Sequence, residues 1–302
     1  MAASGAPNNL AKPFRPLPIR ALNALGRVLR RVGVVPIAGE SLGPVDVYGD
    51  DRIFVRLQVA GQGDAAVDAL VEQLKARQAP VYEITMPEPA ALGAEFVRWE
   101  IATAVAGALL DINPFDEPNV SQAKAATTTL LREVKQEGRL PASKPTRTTE
   151  AGVELSLSAA ALAALGDRGP EAILSLLAPG DYFALLAYLG PNPALAATLH
   201  DVRMAVRNRT RLSTMFGYGP RYLHSTGQLH KGGANNGVFV LVSALPRVDF
   251  PIPGEAFSFG TLELAQAIGD FQSLDATGRR ALHVHLPEPT LALLDGALRP
   301  LL

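Results

Sequence analysis

The feature that most constrains the fold of this sequence is an alternation of short apolar runs with longer helical patterns. Residues 53–59 alternate apolar and polar side chains, as a half-buried strand does, and residues 65–77 carry apolar residues at helical spacing. "APVYEITM" (79–86) then predicts a second strand. A helix between two strands is the connection that parallel strands need. This part of the chain therefore predicts a β-α-β unit.

The same alternation returns in the second half of the chain. Three apolar runs predict strands: "DYFALLAYL" (181–189), "GVFVLVSAL" (237–245) and "RRALHVHL" (279–286). Three stretches predict helices: 159–165, 195–214 and 262–274. Strands that alternate with helices indicate an α/β protein, in which helices flank layers of mostly parallel sheet.

Two helical stretches and one polar stretch lie between these halves. Residues 92–110 and 120–136 predict helices, separated by the proline-containing "DINPFDEPN". Residues 137–154 combine proline, glycine, threonine and charge with few apolar residues, which is typical of a linker. We therefore expect two α/β units, at 33–136 and 155–302.

The first residues of the chain differ from the rest. Residues 1–32 contain six lysines and arginines, and the first acidic residue is Glu40. Leu22, Leu25, Val28, Leu29 and Val32 recur at helical spacing, so this basic leader is amphipathic. It fits a surface helix or a disordered arm, an organelle transit peptide, or an unrelated start joined to the rest of the chain.

Charge and residue usage exclude several functions. The formal net charge of -1 argues against a nucleic-acid partner, since proteins that bind nucleic acids carry a clustered basic excess. The absence of cysteine excludes thiolate metal sites and cysteine nucleophiles, and no cluster of histidines and carboxylates predicts a metal site. No apolar stretch approaches the roughly 20 residues that cross a bilayer. We expect a soluble, cytoplasmic protein that binds a small molecule without a cofactor.

Two polar loops are candidates for the chemistry. "INPFDEPNVSQAK" (112–124) ends at Lys124, whose ammonium can act as an acid or bind phosphate, although a solvated helix lysine looks the same in a sequence. "YGPRYLHSTGQLHKGG" (218–233) holds one titrating group and three neutral hydrogen-bonding groups within a few residues, which suits a polyhydroxylated ligand: His224, Ser225, Thr226 and Gln228.

The other histidines predict less. His230 lies six residues after His224 and so falls on a different helical face, and we expect one of the two to be a surface histidine. His283 and His285 lie on one side of a predicted strand, where we expect a structural role. The segment 222–239, which is rich in glycine and polar residues, does not read as core packing.

The two loops carry a resemblance to a known family. "LGAEFVRWEIATAVAGALLDINPFDEPNVSQAK" (92–124) and "LHSTGQ" (223–228) resemble segments of the glucose-6-phosphate isomerase family. From about Gly33 onward the chain is most similar to the isomerase half of bacterial transaldolase/glucose-6-phosphate isomerase fusions. The resemblance implies interconversion of glucose 6-phosphate and fructose 6-phosphate, with Lys124 and His224 as catalytic residues and Gln228 as a companion amide. Substrate contacts would fall to Ser225, Thr226 and Glu117.

The chain departs from this family in several ways. "LNALGRVLRR" (22–31) stands where the family has the glutamate that shuttles the proton, ahead of "GVVPI" (33–37). A first sugar-phosphate-binding domain is missing, the lysine precedes the histidine, and Glu117 stands where the family usually has glutamine. We therefore expect little activity alone, with a missing domain or a homo-oligomer as partner. The alternatives are a non-catalytic sugar-phosphate-binding module and a structural fragment without a ligand.

Overall fold

A computed structural model describes residues 33–116, 118–141, 144–190 and 192–302. Its first unit is a two-stranded parallel sheet. Strand β1 (Phe54–Val59) pairs with β2 (Val81–Met86), from Phe54 opposite Val81 to Val59 opposite Met86. Helix α1 (Ala65–Ala76) connects the strands and begins at Asp64, whose carboxylate accepts hydrogen bonds from the first backbone N–H groups of the helix. The predicted β-α-β unit is present.

Two long helices follow this sheet. Helix α2 (Leu92–Leu110) ends at Asp111, which adopts a left-handed conformation with φ of 60°. The chain then turns back so that Pro114 packs on Gly107, where any Cβ would collide with the proline ring. Helix α3 begins beyond this turn and spans Pro118–Glu137. The turn thus places the loop between α2 and α3 against the last turns of α2.

The second unit is a six-stranded sheet in the order β3-β4-β8-β7-β5-β6. Its strands are β3 (Arg147–Thr148), β4 (Glu154–Leu157), β5 (Tyr182–Tyr188), β6 (Ser213–Tyr218), β7 (Gly237–Ala244) and β8 (Arg280–Leu286). The last four pair in parallel, whereas β4 runs antiparallel to β3 and β8. Strands β5 and β7 are buried almost throughout, as expected for the centre of a parallel sheet.

Helices cover both faces of this sheet. They are α4 (Ala159–Leu165), α5 (Pro193–Thr210), α6 (Gly227–Gly232), α7 (Phe259–Ala276) and α8 (Leu291–Leu298). One apolar core packs Phe183 and Val240 against Leu199 of α5. The other packs Leu186 and Leu241 against α7 and the segment before α6. These layers make the protein an α/β protein with helices flanking a mostly parallel sheet, which confirms the predicted fold class.

Two details differ from the sequence-based prediction. The helix predicted at 195–214 ends at Thr210, and strand β6 follows from Ser213. Arg211 caps the helix in a left-handed conformation with φ of 61°, which a pattern of apolar residues does not reveal. Strands β3 and β4 add an antiparallel edge that was not predicted, and β3 lies inside the proposed linker.

Helix α3 of the predicted first unit packs along α7 of the predicted second unit. The division into two units stays a prediction. Lys135 of α3 also pairs with Glu255, with 2.6 Å between Nζ and Oε2. The basic leader, residues 1–32, lies outside the described residues. Within the described part of the chain, no helix is both long enough and apolar enough to cross a membrane.

Candidate functional site

The two loops singled out in the sequence meet at one pair of amides. The backbone N–H of Asn119 donates to Oε1 of Gln228 at 3.0 Å, and Nε2 of Gln228 donates to Oδ1 of Asn119 at 2.8 Å. Asn119 lies in the first turn of α3, where backbone N–H groups have no partner within the helix. The Gln228 side chain satisfies one of these groups and joins the start of α3 to α6.

Local sequence explains why Gln228 lies there. A single 3₁₀ turn, Arg221–His224, buries Tyr222 and Leu223 against the sheet and leads directly into α6. Gly232, at the end of α6, lies under the amide pair, and any Cβ there would collide with both Gln228 and Asn119. The small residue therefore lets α6 approach α3 closely enough for the two hydrogen bonds.

The other predicted site residues lie close in sequence to Asn119 or Gln228. His224 and Lys124 are exposed, and neither side chain makes a hydrogen bond or ion pair with another described residue. Ser225 is exposed and donates to the carbonyl of Tyr222 at 3.1 Å, while Thr226 is half-buried at the start of α6. Glu117 lies outside the described residues. The structure thus joins Gln228 to the α3 loop but shows no direct contact between His224 and Lys124.

The second half of the segment is buried, contrary to the prediction that it does not pack in the core. His230 and Lys231 are 1% and 2% exposed. The ammonium of Lys231 pairs with the carboxylate of Asp270 on α7, and the hydroxyl of Tyr188 donates to the same carboxylate at 3.3 Å. The segment thus presents His224 to solvent and is anchored in the core through Lys231.

Burial changes the pKa values of the residues that anchor this segment in the core. It lowers the pKa of Lys231 and raises that of Asp270, while the direct contact between the two charges opposes both shifts and favours the ionised pair near pH 7. Burial, with the positive charges of Lys231 and Arg279, lowers the pKa of His230 to about 3. His230 is therefore neutral near pH 7, and its ring nitrogen Nδ1 lies 3.1 Å from the Tyr182 hydroxyl.

A further arginine holds the end of the segment. Nη2 of Arg279, which is 4% exposed, donates to the carbonyls of Lys231 and Gly233. These carbonyls are at the C-terminal end of α6, where a cation is favourable because the helix dipole is negative there. Arg279 and Asp270 together fix α6 to the sheet and to α7.

Sequence reasoning missed three residues: Asn119 and Arg221 at the site, and Asp270, which is buried behind it. Arg221 is exposed three residues before His224 in the same 3₁₀ turn, and residues at that spacing lie on one side of such a turn. The spacing of Arg221 and His224 was visible in the sequence, but the turn type was not. Asp270 lies on the buried face of α7 beside Ala267 and Leu274, and a carboxylate buried there needs a partner, but the mixed polar and apolar sequence of this helix does not show which face is buried.

His283 and His285 lie on the same side of β8, as predicted. The hydroxyl of Ser243 on β7 is 2.7 Å from Nε2 of His283 and 2.8 Å from Nδ1 of His285. Burial lowers the pKa of His283 to about 3. A hydroxyl of the neighbouring strand β7 thus contacts both rings.

Two surface clefts of the described chain are lined by residues other than the amide pair. Among the described residues, no group of three histidines, cysteines, aspartates or glutamates could hold a metal ion. One cleft lies beside β1 and Arg77, the other between the end of α3 and residues 245–264. Neither cleft is lined by His224, Lys124 or Gln228.

The fold and this surface define an α/β protein in which a histidine-bearing turn is bound to the start of a helix. No protein-family model matches the sequence, and no curated protein matches it. Among solved structures, the chain is similar to the hypothetical protein TT0462 from Thermus thermophilus. The two share 17% sequence identity over 93% of this chain and 73% of that chain, with a TM-score of 0.35. A likeness of this size carries no argument about function.

Proposed function

We propose that this chain is a sugar-phosphate isomerase region that binds a hexose 6-phosphate beside the Asn119–Gln228 amide pair. The observation that carries the proposal is this reciprocal pair, because it joins the two loops whose sequences resemble the isomerase family. Arg221 and His224 on the turn before α6, and Lys124 on α3, are exposed.

Each exposed group has a chemical role in this proposal. The imidazole of His224 exchanges a proton with the ring oxygen of the sugar and so opens the ring, since histidine titrates near neutral pH. Lys124 protonates or stabilises the developing alkoxide. Arg221 offers a planar cation to the phosphate, and the hydroxyls of Ser225 and Thr226 bind sugar hydroxyls.

The second half of the reaction needs a carboxylate that moves a proton between C1 and C2. Glu40 is the first glutamate after the "GVVPI" motif, but its carboxylate is committed elsewhere. Oε1 of Glu40 accepts a hydrogen bond from the Thr214 hydroxyl at 2.5 Å, and the group pairs with Arg203 and Arg207. A positioned proton acceptor contributes roughly 10²–10⁴-fold to a rate. The chain alone therefore lacks most of the isomerase rate.

The testing experiment separates binding from turnover. Binding of fructose 6-phosphate is measured by calorimetry for the wild type, His224→Ala and Lys124→Ala, and conversion to glucose 6-phosphate is followed in a coupled assay. Lys144→Ala is the matched control, because Lys144 is an exposed lysine outside both loops. We expect binding that weakens at least tenfold in both site variants but not in the control, with turnover close to the blank.

Two outcomes would change the proposal. Turnover well above the blank, lost in His224→Ala and Lys124→Ala, would mean that another carboxylate serves as the base. No binding of any hexose phosphate would refute the sugar-phosphate site and favour a structural fragment.

The second candidate function is a non-catalytic sugar-phosphate-binding module, favoured by the commitment of Glu40 to two arginines. A module of this kind must bind its ligand tightly without converting it, because fold does not determine activity. Micromolar affinity with no turnover, unchanged when a domain that supplies the base is added, would support this function over an incomplete isomerase.

A further inference from the structure

A small cleft lies beside the first sheet, where β1 and β2 begin. Its volume is about 260 Å³. Two arginines, two aromatic rings and apolar side chains contribute to its lining, among them Arg52, Arg77, Tyr48, Phe54, Leu74 and Pro80. The lining shares no residue with the proposed sugar-phosphate site, so an inference about this cleft does not rest on that proposal.

The two aromatic rings form a fixed wall. The rings of Tyr48 and Phe54 meet edge to face, with 5.4 Å between their centroids. The guanidinium of Arg207 lies over the Tyr48 ring, 5.5 Å from its centroid. The Tyr48 hydroxyl accepts a hydrogen bond from the backbone N–H of Gly43 at 3.0 Å. Because Tyr48 is held by these three contacts, the wall is formed before any ligand arrives, which lowers the cost of binding.

The turn that ends α1 forms another part of the cleft. Gln78 adopts a left-handed conformation with φ of 60°, and the N–H of Ala79 donates to the carbonyl of Leu74 at 3.0 Å. The turn brings Pro80 beside β1, where its carbonyl accepts a hydrogen bond from the N–H of Phe54 at 2.9 Å. Leu74 and Pro80 thus reach the lining on a turn with fixed geometry.

Arg52 indicates that the cleft receives an acceptor. Its side chain is only 6% exposed. Nε donates to Oδ1 of Asp51 at 3.3 Å, and Nη2 donates to the carbonyl of Arg211 at 3.1 Å. A guanidinium carries five N–H donors, and these two bonds leave the other three without an acceptor among the described residues. Buried polar groups are normally paired, and a buried charge needs a partner most.

A second guanidinium lies in the same lining. Arg77 donates through Nη1 to the carbonyl of Val45, and its Nη2 lies 3.8 Å from the carboxylate of Asp50. The Asp50 side chain is fully exposed. An exposed ion pair of this kind contributes little free energy, so Arg77 can exchange Asp50 for the carboxylate of a ligand.

We propose that this cleft binds a small organic carboxylate with an apolar body. The planar guanidinium groups of Arg52 and Arg77 match the geometry of a carboxylate. The rings of Tyr48 and Phe54 cover the apolar body of the ligand, as in other small-molecule sites. Sites for drug-sized ligands have volumes of about 300–1,000 Å³, so the smaller volume of this cleft selects a smaller ligand.

Benzoate is the probe, because it combines one carboxylate with a small ring. Benzamide is its uncharged counterpart of nearly the same shape, and inorganic phosphate is an anion without an apolar body. Each is titrated into the ¹⁵N-labelled full chain, and the amide chemical shifts give Kd. We expect benzoate to shift amides of residues 48–54 and 74–80 with a Kd in the millimolar range. Benzamide and phosphate should bind about tenfold more weakly.

Variants of the charged residues test the assignment. Arg77→Met removes a partly exposed guanidinium and should weaken benzoate binding about tenfold. Arg132→Met is the matched control, because Arg132 is an exposed arginine of α3 outside the cleft. Asp50→Asn removes the competing carboxylate and should tighten binding. Arg52→Met should abolish binding, and if this variant does not fold, the Arg77 and Asp50 variants decide.

Several results would overturn the proposal. One is the absence of benzoate-induced shifts in residues 48–54 and 74–80, and another is benzamide binding as tight as that of benzoate. Phosphate binding as tight as that of benzoate would show that the rings do not contribute, and would overturn the ligand class. Unchanged affinity in both Arg77→Met and Asp50→Asn would show that Arg77 does not contact the carboxylate.

Discussion

The amide of Gln228 is the residue on which the proposed site depends. It gives one hydrogen bond to Asn119 and accepts another from it, so replacing it leaves a backbone N–H of α3 without a partner in the protein. We expect Gln228→Ala to lower the free energy of unfolding by about 1–2 kcal/mol, since each hydrogen bond contributes about 0.5–1.5 kcal/mol. Urea unfolding measures the change.

A matched control separates this contact from a surface effect. Gln122→Ala removes an exposed amide that also contacts Asn119, at 3.0 Å, and should cost less than about 0.5 kcal/mol. A cycle of Gln228→Ala, Asn119→Ala and the double variant should show coupling between the two residues. Equal effects of Gln228→Ala and Gln122→Ala would show that the amide pair does not hold α3 to α6.

His230 makes stability depend on pH. Its pKa is lowered by burial to about 3 in the folded protein, against about 6.5 in an unfolded chain. Below pH 6.5 the unfolded state therefore binds the extra proton, and stability falls as the pH drops from 6.5 toward 3. His230→Gln should reduce the slope by up to one proton, about 1.4 kcal/mol per pH unit.

Unfolding by urea at pH 4, 5, 6 and 7 measures this slope for both proteins. His283 is buried with a similarly lowered pKa and remains in the variant, so some acid sensitivity should persist. His200→Gln is a suitable control, because His200 is a half-buried histidine bonded to Ser41 at 2.7 Å. An unchanged slope in His230→Gln would mean that His230 is protonated in the folded protein.

Among the contacts between elements, the Lys231–Asp270 pair fixes α6 to α7 and so positions the turn that carries His224. Asp270→Asn keeps the shape but leaves a buried ammonium without a counter-charge, which typically costs about 3–5 kcal/mol. We expect this loss near pH 7 and a smaller one above pH 8, where Lys231 loses its proton, because burial lowers its pKa to about 8.

The double variant Lys231→Met/Asp270→Leu removes both charges and provides the comparison. It should be more stable than Asp270→Asn, since apolar residues of similar volume often replace a buried ion pair without loss. Thermal unfolding at pH 7 and pH 9 measures both variants. A double variant less stable than the single one would show that the pair contributes more than its burial costs.

Across the molecule as a whole, two arginines of α5 hold residues 38–41 against the second unit. Arg203 donates to the carbonyl of Ala38 at 2.8 Å and Arg207 to that of Ser41 at 2.6 Å. The carboxylate of Glu40 lies 3.8 Å and 3.6 Å from these guanidinium groups. The chain that leads into the first sheet therefore passes through a buried charge cluster.

Removing the carboxylate of this cluster should loosen the connection. In Glu40→Gln both guanidinium groups remain buried without this counter-charge, and we expect a loss of about 3–5 kcal/mol. Amide hydrogen exchange should become faster in residues 38–48, while β5 and β7 stay protected. Glu72→Gln, which breaks an exposed ion pair with Lys75, is the control and should leave exchange in 38–48 unchanged. Unchanged exchange in Glu40→Gln would show that the carbonyl contacts hold the segment alone.

Local patterns in the sequence were sufficient to predict the fold class and most of the elements. Apolar periodicity identified β1, β2, β5, β7 and β8 and the long helices to within a few residues, because burial on one or both faces imposes a period on the chain. The sequence also identified the two polar loops, 112–124 and 218–233, that meet at the amide pair. These features are local, and a sequence displays them directly.

Which residues meet depends on the three-dimensional fold. Asn119 and Gln228 are 109 positions apart, and no pattern in either loop indicates that their amides pair. Lys231 belongs to a segment that was predicted to lie outside the core, yet it is buried because Asp270, in a helix almost 40 residues away, supplies its counter-charge. Glu40 pairs with Arg203 and Arg207, and no local pattern around Glu40 predicts these partners. Such pairings depend on long-range packing, which periodicity along the chain does not encode.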